Sequence, residues 1–138
     1  MTQNEKELLL KDLCARVPYG VKYMRYSWDY DTDQELPVIE TLECADKDGY
    51  INHRRVYTVD DIKPYLFPLS SMTEEQIQEY TYIVNYISSD DTENWVEGEF
   101  IYVEQFTQLM HFYHMNHLDY MGLIPMGLAI DATGLNIY

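Results

Sequence analysis

Three histidines recur three residues apart in the stretch HFYHMNH, residues 111 to 117. Imidazole is a common zinc ligand, so the first question is whether one ion could bind all three side chains. On a helix, His111, His114 and His117 would spread over about 120° of arc and about 9 Å of axis. One zinc ion with ligands at about 2.1 Å cannot bind all three from a single straight helix. His111 and His114 remain a candidate pair that needs a third ligand from elsewhere.

A second candidate metal site is the run of alternating carboxylates in DYDTDQELPVIE, residues 29 to 40. Its acids match the ligand positions of a calcium-binding loop, and hard oxygen ligands suit calcium. The template, however, needs a glycine where this sequence has Gln34, and it needs helices where this sequence has extended flanks. The other interpretation is a solvated connection between strands. The candidate calcium ligands are Asp29, Asp31, Asp33, Glu35 and Glu40.

Motifs for nucleophilic catalysis and phosphate binding are missing from the sequence. It has no Gly-x-Ser-x-Gly and no glycine-rich phosphate loop, and neither Cys14 nor Cys44 has a histidine beside it. We therefore expect a non-enzymatic protein that uses no cofactor. A metal-dependent activity, with calcium or zinc, is the alternative from another functional class, and it depends on the two candidate sites above.

The charge is distributed unevenly along the chain. The net charge is −15, all nine Lys and Arg residues lie at or before Lys63, and residues 64–138 carry acids but no Lys or Arg. Such a field repels phosphate backbones, so we expect no direct binding of nucleic acid and instead expect a protein partner with a basic surface. A nucleic-acid mimic that inhibits a DNA-binding protein is the alternative, and the charge could also serve solubility alone.

The sequence carries no recognisable targeting or membrane signal. No apolar run approaches the roughly 18 residues of a membrane span, and the N-terminal MTQNEKELLLKD is polar and charged where a signal peptide would be apolar. We therefore predict a cytoplasmic protein without membrane association. The oligomeric state cannot be read from the sequence.

The order of segments predicts an α+β fold in a single domain, residues 1–138. Leu9, Leu13 and Val17 share one stripe, which predicts an N-terminal helix from Asn4 to Arg16. Three extended segments rich in aromatic or β-branched residues follow. They are Val21 to Trp28, Val38 to Ala45, and Tyr50 to Thr58. Because residues 46–49 have turn chemistry, we expect the last two to form a hairpin near 38–57 in a small antiparallel sheet.

Helical periodicity dominates the second half. Thr73 and Gln76 form a capping box, which predicts a helix at about 74–88. Its polar face carries Glu79, Tyr82 and Tyr86, the candidate partner-binding residues, since tyrosine is enriched where proteins meet. A second helix is predicted at about 103–117, and an irregular C-terminal tail follows. The predicted apolar face of that helix comprises Val103, Phe106, Leu109, Met110 and Tyr113, with His117 inside it.

Three stretches resemble one known family. KDLCARVPYGVK, IKPYLFPLSSMTEEQ and HLDYMGLIPMGLAIDATGLNIY, which begin at residues 11, 62 and 117, are similar to small uncharacterised proteins encoded by gut Bacteroidetes and their phages. The resemblance implies an accessory protein of a phage or mobile element, with no catalytic or binding residues to carry over. The leading hypothesis is therefore a non-enzymatic, acidic protein-interaction module of such an element.

Overall fold

The computed structural model describes residues 1–88 and 95–138, with their side chains except those of residues 55, 56, 86–88 and 95–103. The predicted α+β class is confirmed. The helices are α1 (Gln3–Arg16), α2 (Glu74–Ser88) and α3 (Trp95–Met115). The strands are β1 (Lys22–Asp29), β2 (Gln34–Thr41), β3 (Tyr50–Ile51), β4 (Arg54–Thr58), β5 (Ile62–Leu66) and β6 (Ile130–Asp131).

Helix α1 begins at a capping box that the sequence supplies. Thr2 Oγ1 accepts a hydrogen bond from Glu5 N at 3.2 Å, and Glu5 Oε2 accepts one from Thr2 N at 2.7 Å, which satisfies two otherwise free donors. Leu9 and Leu13 are fully buried against the sheet. The predicted N-terminal helix is confirmed, and a short 3₁₀ turn, Val17–Tyr19, follows it.

The main sheet is mixed, with the strand order β2-β1-β5-β6. Strands β2, β1 and β5 run antiparallel, whereas β6 runs parallel to β5. The tail, predicted to be irregular, therefore contributes one short strand. On the inner face of the sheet, Tyr23 and Ile62 pack with the leucines of α1 into the larger of two hydrophobic cores.

The predicted partner of the segment from Val38 to Ala45 is wrong. β2 pairs along its length with β1, whereas β4 pairs with β3 in a separate two-stranded sheet. The predicted turn at residues 46–49 forms, but it leads only to an isolated bridge between Ala45 and Ile51. The four-residue turn between β1 and β2 explains the difference. The Asp29 carboxylate accepts hydrogen bonds from Asp31 N and Thr32 Oγ1 there, which closes a short local hairpin.

Helices α2 and α3 pack on each other and form the second core. The predicted capping box of α2 is confirmed, because Thr73 and Gln76 exchange hydrogen bonds of 3.2 and 2.9 Å. Ile83 of α2 packs against Phe112 of α3 and Leu118 beyond it. None of the helices in the described ranges is long and apolar enough to cross a lipid bilayer.

The predicted limits and face of the third helix need correction. α3 begins at Trp95 and ends at Met115, whereas the predicted helix ran from about 103 to 117. Gly98 and nearby acids gave the first turns a weak helical signal in the sequence. Gln105 is buried while Phe106 is about half exposed, at 52%, so the buried face is rotated from the predicted one. The packing against α2 sets that rotation, and hydrophobic periodicity alone did not capture it.

Candidate functional site

A groove lies between α2 and α3, with Tyr19 at one side. It has a volume of about 530 Å³, within the range of cavities that hold ligands or partner side chains. Four of the candidate residues from the sequence come together in it, because Glu79 and Tyr82 line it from α2, and His111 and His114 line it from α3. The lining residues used below are Tyr19, Glu79, Tyr82, Met110, His111 and His114. We refer to this feature as the α2–α3 groove.

Tyr19 joins the groove from a distant part of the sequence. Its hydroxyl lies 2.9 Å from His111 Nδ1, and the two rings meet edge to face with centroids 5.4 Å apart. Pro18 presets the 3₁₀ turn that carries Tyr19, and Gly20 ends the turn with a φ of +67°, a conformation that glycine adopts without strain. The local turn chemistry thus places the phenol against α3.

His114 forms the floor of the groove and is buried. Its Nε2 lies 2.8 Å from the Tyr120 hydroxyl, and its ring lies 5.4 Å from that of Tyr19. Burial first, and then the nearby Arg16 charge, lower the pKa of His114 to about 4. The imidazole is therefore neutral at neutral pH, and the floor of the groove has no positive charge from this residue.

A buried ion pair between Asp12 and Arg16 lies next to Tyr120, the residue that contacts His114. Arg16 Nε donates to Asp12 Oδ2 at 2.7 Å, and both side chains are fully buried. Arg16 Nη2 also donates to the Leu118 carbonyl oxygen at 2.7 Å, and the guanidinium lies 5.3 Å from the centre of the Tyr120 ring. Burial raises the pKa of Asp12, while the Arg16 charge lowers it. The pair therefore ties α1 to the end of α3 and to the ring that contacts His114.

This ion pair was not predicted, although the sequence contains a signal for it. Asp12 and Arg16 lie between and after Leu9 and Leu13 at helical spacing, so they share the buried face of α1. Two charged residues of opposite sign at i and i+4 on an apolar stripe indicate a paired group inside the core.

Carboxylate charge in the groove comes from Glu79. Its side chain is exposed, and Tyr82 beside it is 67% exposed. Among the described residues that line the groove, none is lysine or arginine. The third candidate partner-binding residue, Tyr86, has its side chain outside the described residues. The groove therefore combines aromatic rings with a negative charge and, where it is described, has no lysine or arginine to neutralise it.

The third histidine of the run is separated from the other two by the end of the helix. His117 has a φ of +54°, the left-handed conformation usual for the residue that follows a helix. Its N–H donates to the His114 carbonyl oxygen at 3.2 Å, and the next N–H, of Leu118, donates to the Tyr113 carbonyl oxygen at 2.9 Å. These two bonds form a Schellman motif. His117 stacks on Tyr138, with ring centroids 3.7 Å apart, so its role is packing at the helix exit.

The structure does not bring the candidate calcium ligands together. Asp29 ends β1, Asp31 and Asp33 lie in the turn, and Glu35 and Glu40 lie on β2. Glu35 and Glu40 point to opposite faces of the strand and are about 16 Å apart along it. The Glu40 carboxylate instead accepts a hydrogen bond from Arg25 at 2.7 Å. In the part of the chain that the structure describes, no three His, Cys, Asp or Glu side chains are grouped as metal ligands.

The nucleic-acid-mimic alternative depends on how the acids of the second half are arranged. Glu74 and Glu79 are exposed on α2. Asp90 and Asp91 lie outside the described residues, as do the side chains of Glu97 and Glu99. The nucleic-acid-mimic alternative therefore stays a prediction.

Comparison with known proteins gives no match. No family model, no curated protein and no solved structure matches this chain. The resemblance to the family of Bacteroidetes and their phages therefore stays a prediction, together with the cytoplasmic location.

Proposed function

We propose that this protein is a non-enzymatic, acidic protein-interaction module of a phage or mobile element. In this proposal the α2–α3 groove accepts a lysine or arginine side chain from the basic surface of a partner protein. The observation that carries the proposal is the joint presence in one groove of the exposed Tyr82 ring, the half-buried Tyr19 ring and the Glu79 carboxylate.

The aromatic rings supply the first part of the recognition. A cation placed over the face of a tyrosine ring is attracted by the ring quadrupole, by about 0.5–1 kcal/mol at an exposed site and more when water is excluded. Tyr19 and Tyr82 both line the groove, one from the turn after α1 and the other from α2. A side chain that enters between them could therefore contact both rings.

Charge supplies the second part. A lysine or arginine that reaches Glu79 would form a charge-assisted hydrogen bond, which is stronger than a bond between neutral groups. The neutral His114 on the floor adds no opposing charge. Because residues 64–138 contain no Lys or Arg, the surrounding field also attracts a basic partner and raises its rate of association.

The test uses a short peptide that alternates arginine and serine, titrated into the full chain by calorimetry. A matched peptide with glutamate in place of arginine should not bind. Glu79→Gln and Tyr82→Ala should each weaken the binding of the arginine peptide about fivefold, because each removes a contact worth about 1 kcal/mol. Both residues are exposed, so the variants should keep the fold, which circular dichroism would verify.

Two control variants separate the groove from general electrostatics. Glu104→Gln removes the same charge from an exposed position on α3 that is outside the groove lining, and Tyr30→Ala removes an exposed tyrosine from the β1–β2 turn. Both controls should bind the peptide like the wild type. If Glu79→Gln and Glu104→Gln have equal effects, binding follows net charge alone and the groove is not the site.

A further inference from the structure

The antiparallel pairing of β1 and β2 places a set of apolar side chains on one face of the sheet. Met24 lies directly opposite Ile39, and Tyr26 lies directly opposite Pro37. Directly opposite residues in an antiparallel pair project to the same face, and so do alternate residues along a strand. Trp28 therefore belongs to the same face as Met24 and Tyr26. We call these five residues the outer face.

The outer face is largely open to solvent. Tyr26, Trp28 and Ile39 are 52%, 47% and 48% exposed. A sheet with one face in water normally carries polar residues on that face, and a continuous exposed apolar surface indicates an interaction site. The other face of the same strands packs on the core through Tyr23, whereas the outer face has no such contact with the cores formed by the described residues.

The C-terminal residue shows how an aromatic ring covers this side of the sheet. The Tyr138 hydroxyl donates to the Tyr65 carbonyl oxygen at 2.7 Å and accepts from Lys22 N at 2.8 Å. The Tyr65 side chain is itself buried. The tail therefore contacts the start of β1 and the neighbouring part of β5, and it leaves the outer face exposed.

The free edge of the sheet is less suited to a partner than its face. β2 is an edge strand, and Pro37 in its middle has no N–H to donate to an added strand. Natural proteins place proline on edge strands for this reason. A partner is therefore expected to pack on the side chains of the outer face.

The charges on this face determine which partner fits. Lys63 lies directly opposite Met24, near the start of β1, and Glu35 lies directly opposite Trp28, near the end of β1. Both are exposed, and the rows that carry them are about 13 Å apart along β1. A second copy related by a two-fold axis would place the acidic end of each face towards the basic end of the other, with the apolar residues between them.

We infer that the outer face is a self-association surface, on which two copies of the chain pack face to face about a two-fold axis. Glu35 of each copy then lies near Lys63 of the other, and the two Trp28 side chains contribute the largest apolar areas to the contact. This dimer is independent of the proposed groove function, because none of the five residues of the outer face lines the groove.

Sedimentation velocity over a range of protein concentrations tests the inference. The wild type should show a reversible equilibrium between monomer and dimer. Trp28→Ser and Ile39→Ser should each weaken dimerisation at least about tenfold, since loss of a large central side chain is typically that costly. Leu36→Ser is the matched control, because Leu36 is 40% exposed but pairs with Ser27 on the opposite face. It should dimerise like the wild type.

Charge reversal tests the two-fold arrangement. Glu35→Lys and Lys63→Glu should each weaken dimerisation, and the double variant should recover it, because the reversed pair is complementary again. A wild type that stays monomeric at every concentration overturns the inference. An equal loss in Leu36→Ser, or a double variant that stays weak, also overturns it.

Discussion

Lowering the pH from about 7 to about 5 should destabilise the fold, because His114 is held neutral inside it. Its side chain is buried at the floor of the groove and lies 2.8 Å from the Tyr120 hydroxyl. Burial is the main cause of the fall in its pKa from 6.5 to about 4, and the charge of Arg16 also contributes. The folded protein therefore resists a proton that the unfolded chain accepts.

The sign and size of the effect follow from the two pKa values of His114. A group whose folded pKa lies below its unfolded pKa contributes stability that is complete above the unfolded value and is lost as the pH falls towards the folded value. The window therefore runs from 6.5 down to about 4. At about pH 5 the unfolded imidazole is mostly charged and the folded one mostly neutral, so the loss is about 2 kcal/mol. His117 also has a pKa lowered to about 4, and its partial exposure reduces its share.

Urea unfolding at a series of pH values measures the effect as the free energy of unfolding. The wild type should lose about 2 kcal/mol or more between about pH 7 and about pH 5. His114→Gln should start less stable but lose about 2 kcal/mol less over the same interval. His53→Gln, which changes an exposed histidine in the turn between β3 and β4, should keep the wild-type slope. A His114→Gln variant with the wild-type slope would refute the assignment of the acid sensitivity to His114.

Two further predictions concern ion pairs. Asp12→Ala should cost about 3–5 kcal/mol in urea unfolding because it leaves the buried Arg16 charge unpaired, whereas the double change Asp12→Leu with Arg16→Met should be nearly neutral. A loss below about 1 kcal/mol for Asp12→Ala would contradict a buried pair. Glu40 accepts hydrogen bonds from Arg25 and from Tyr23, which lower its pKa from 4.5 to about 2. Glu40 therefore contributes stability that is complete above a pH of 4.5 and is lost as the pH falls towards about 2. Glu40→Gln should remove at most about 3 kcal/mol at neutral pH and flatten acid unfolding between those two values, and an unchanged acid transition would count against it.

Local signals in the sequence predicted the elements that local chemistry determines. The capping box at Thr73 and Gln76 gave the start of α2, and the stripe of Leu9 and Leu13 gave α1. The pairing of β2 with β1 was not predicted, because the alternating acids from Asp29 to Glu35 resemble calcium ligands or a solvated connection between strands. Asp29 instead accepts the hydrogen bonds that close the turn, a function that short acidic side chains commonly have.

The candidate site was predictable only in part, because its members come from distant segments. Glu79 and Tyr82 were identified from the polar face of one helix, and His111 and His114 from the spacing on another. Nothing in the sequence indicated that the two pairs share a groove. Tyr19 lies 92 positions from His111, and no periodicity or motif relates them. The left-handed conformation of His117 was missed as well, since glycine is the usual residue there.

The contact between a cationic side chain and the α2–α3 groove can be observed directly by nuclear magnetic resonance. The measurement is the transfer of magnetisation from the side-chain protons of the arginine–serine peptide to ring protons of the full chain. We expect transfer to the rings of Tyr19 and Tyr82, and this transfer should become weaker when Glu79 is changed to Gln, because that change lowers the affinity about fivefold. Transfer to Tyr30 or Trp28 without transfer to Tyr19 and Tyr82 would show that the α2–α3 groove is not the binding site.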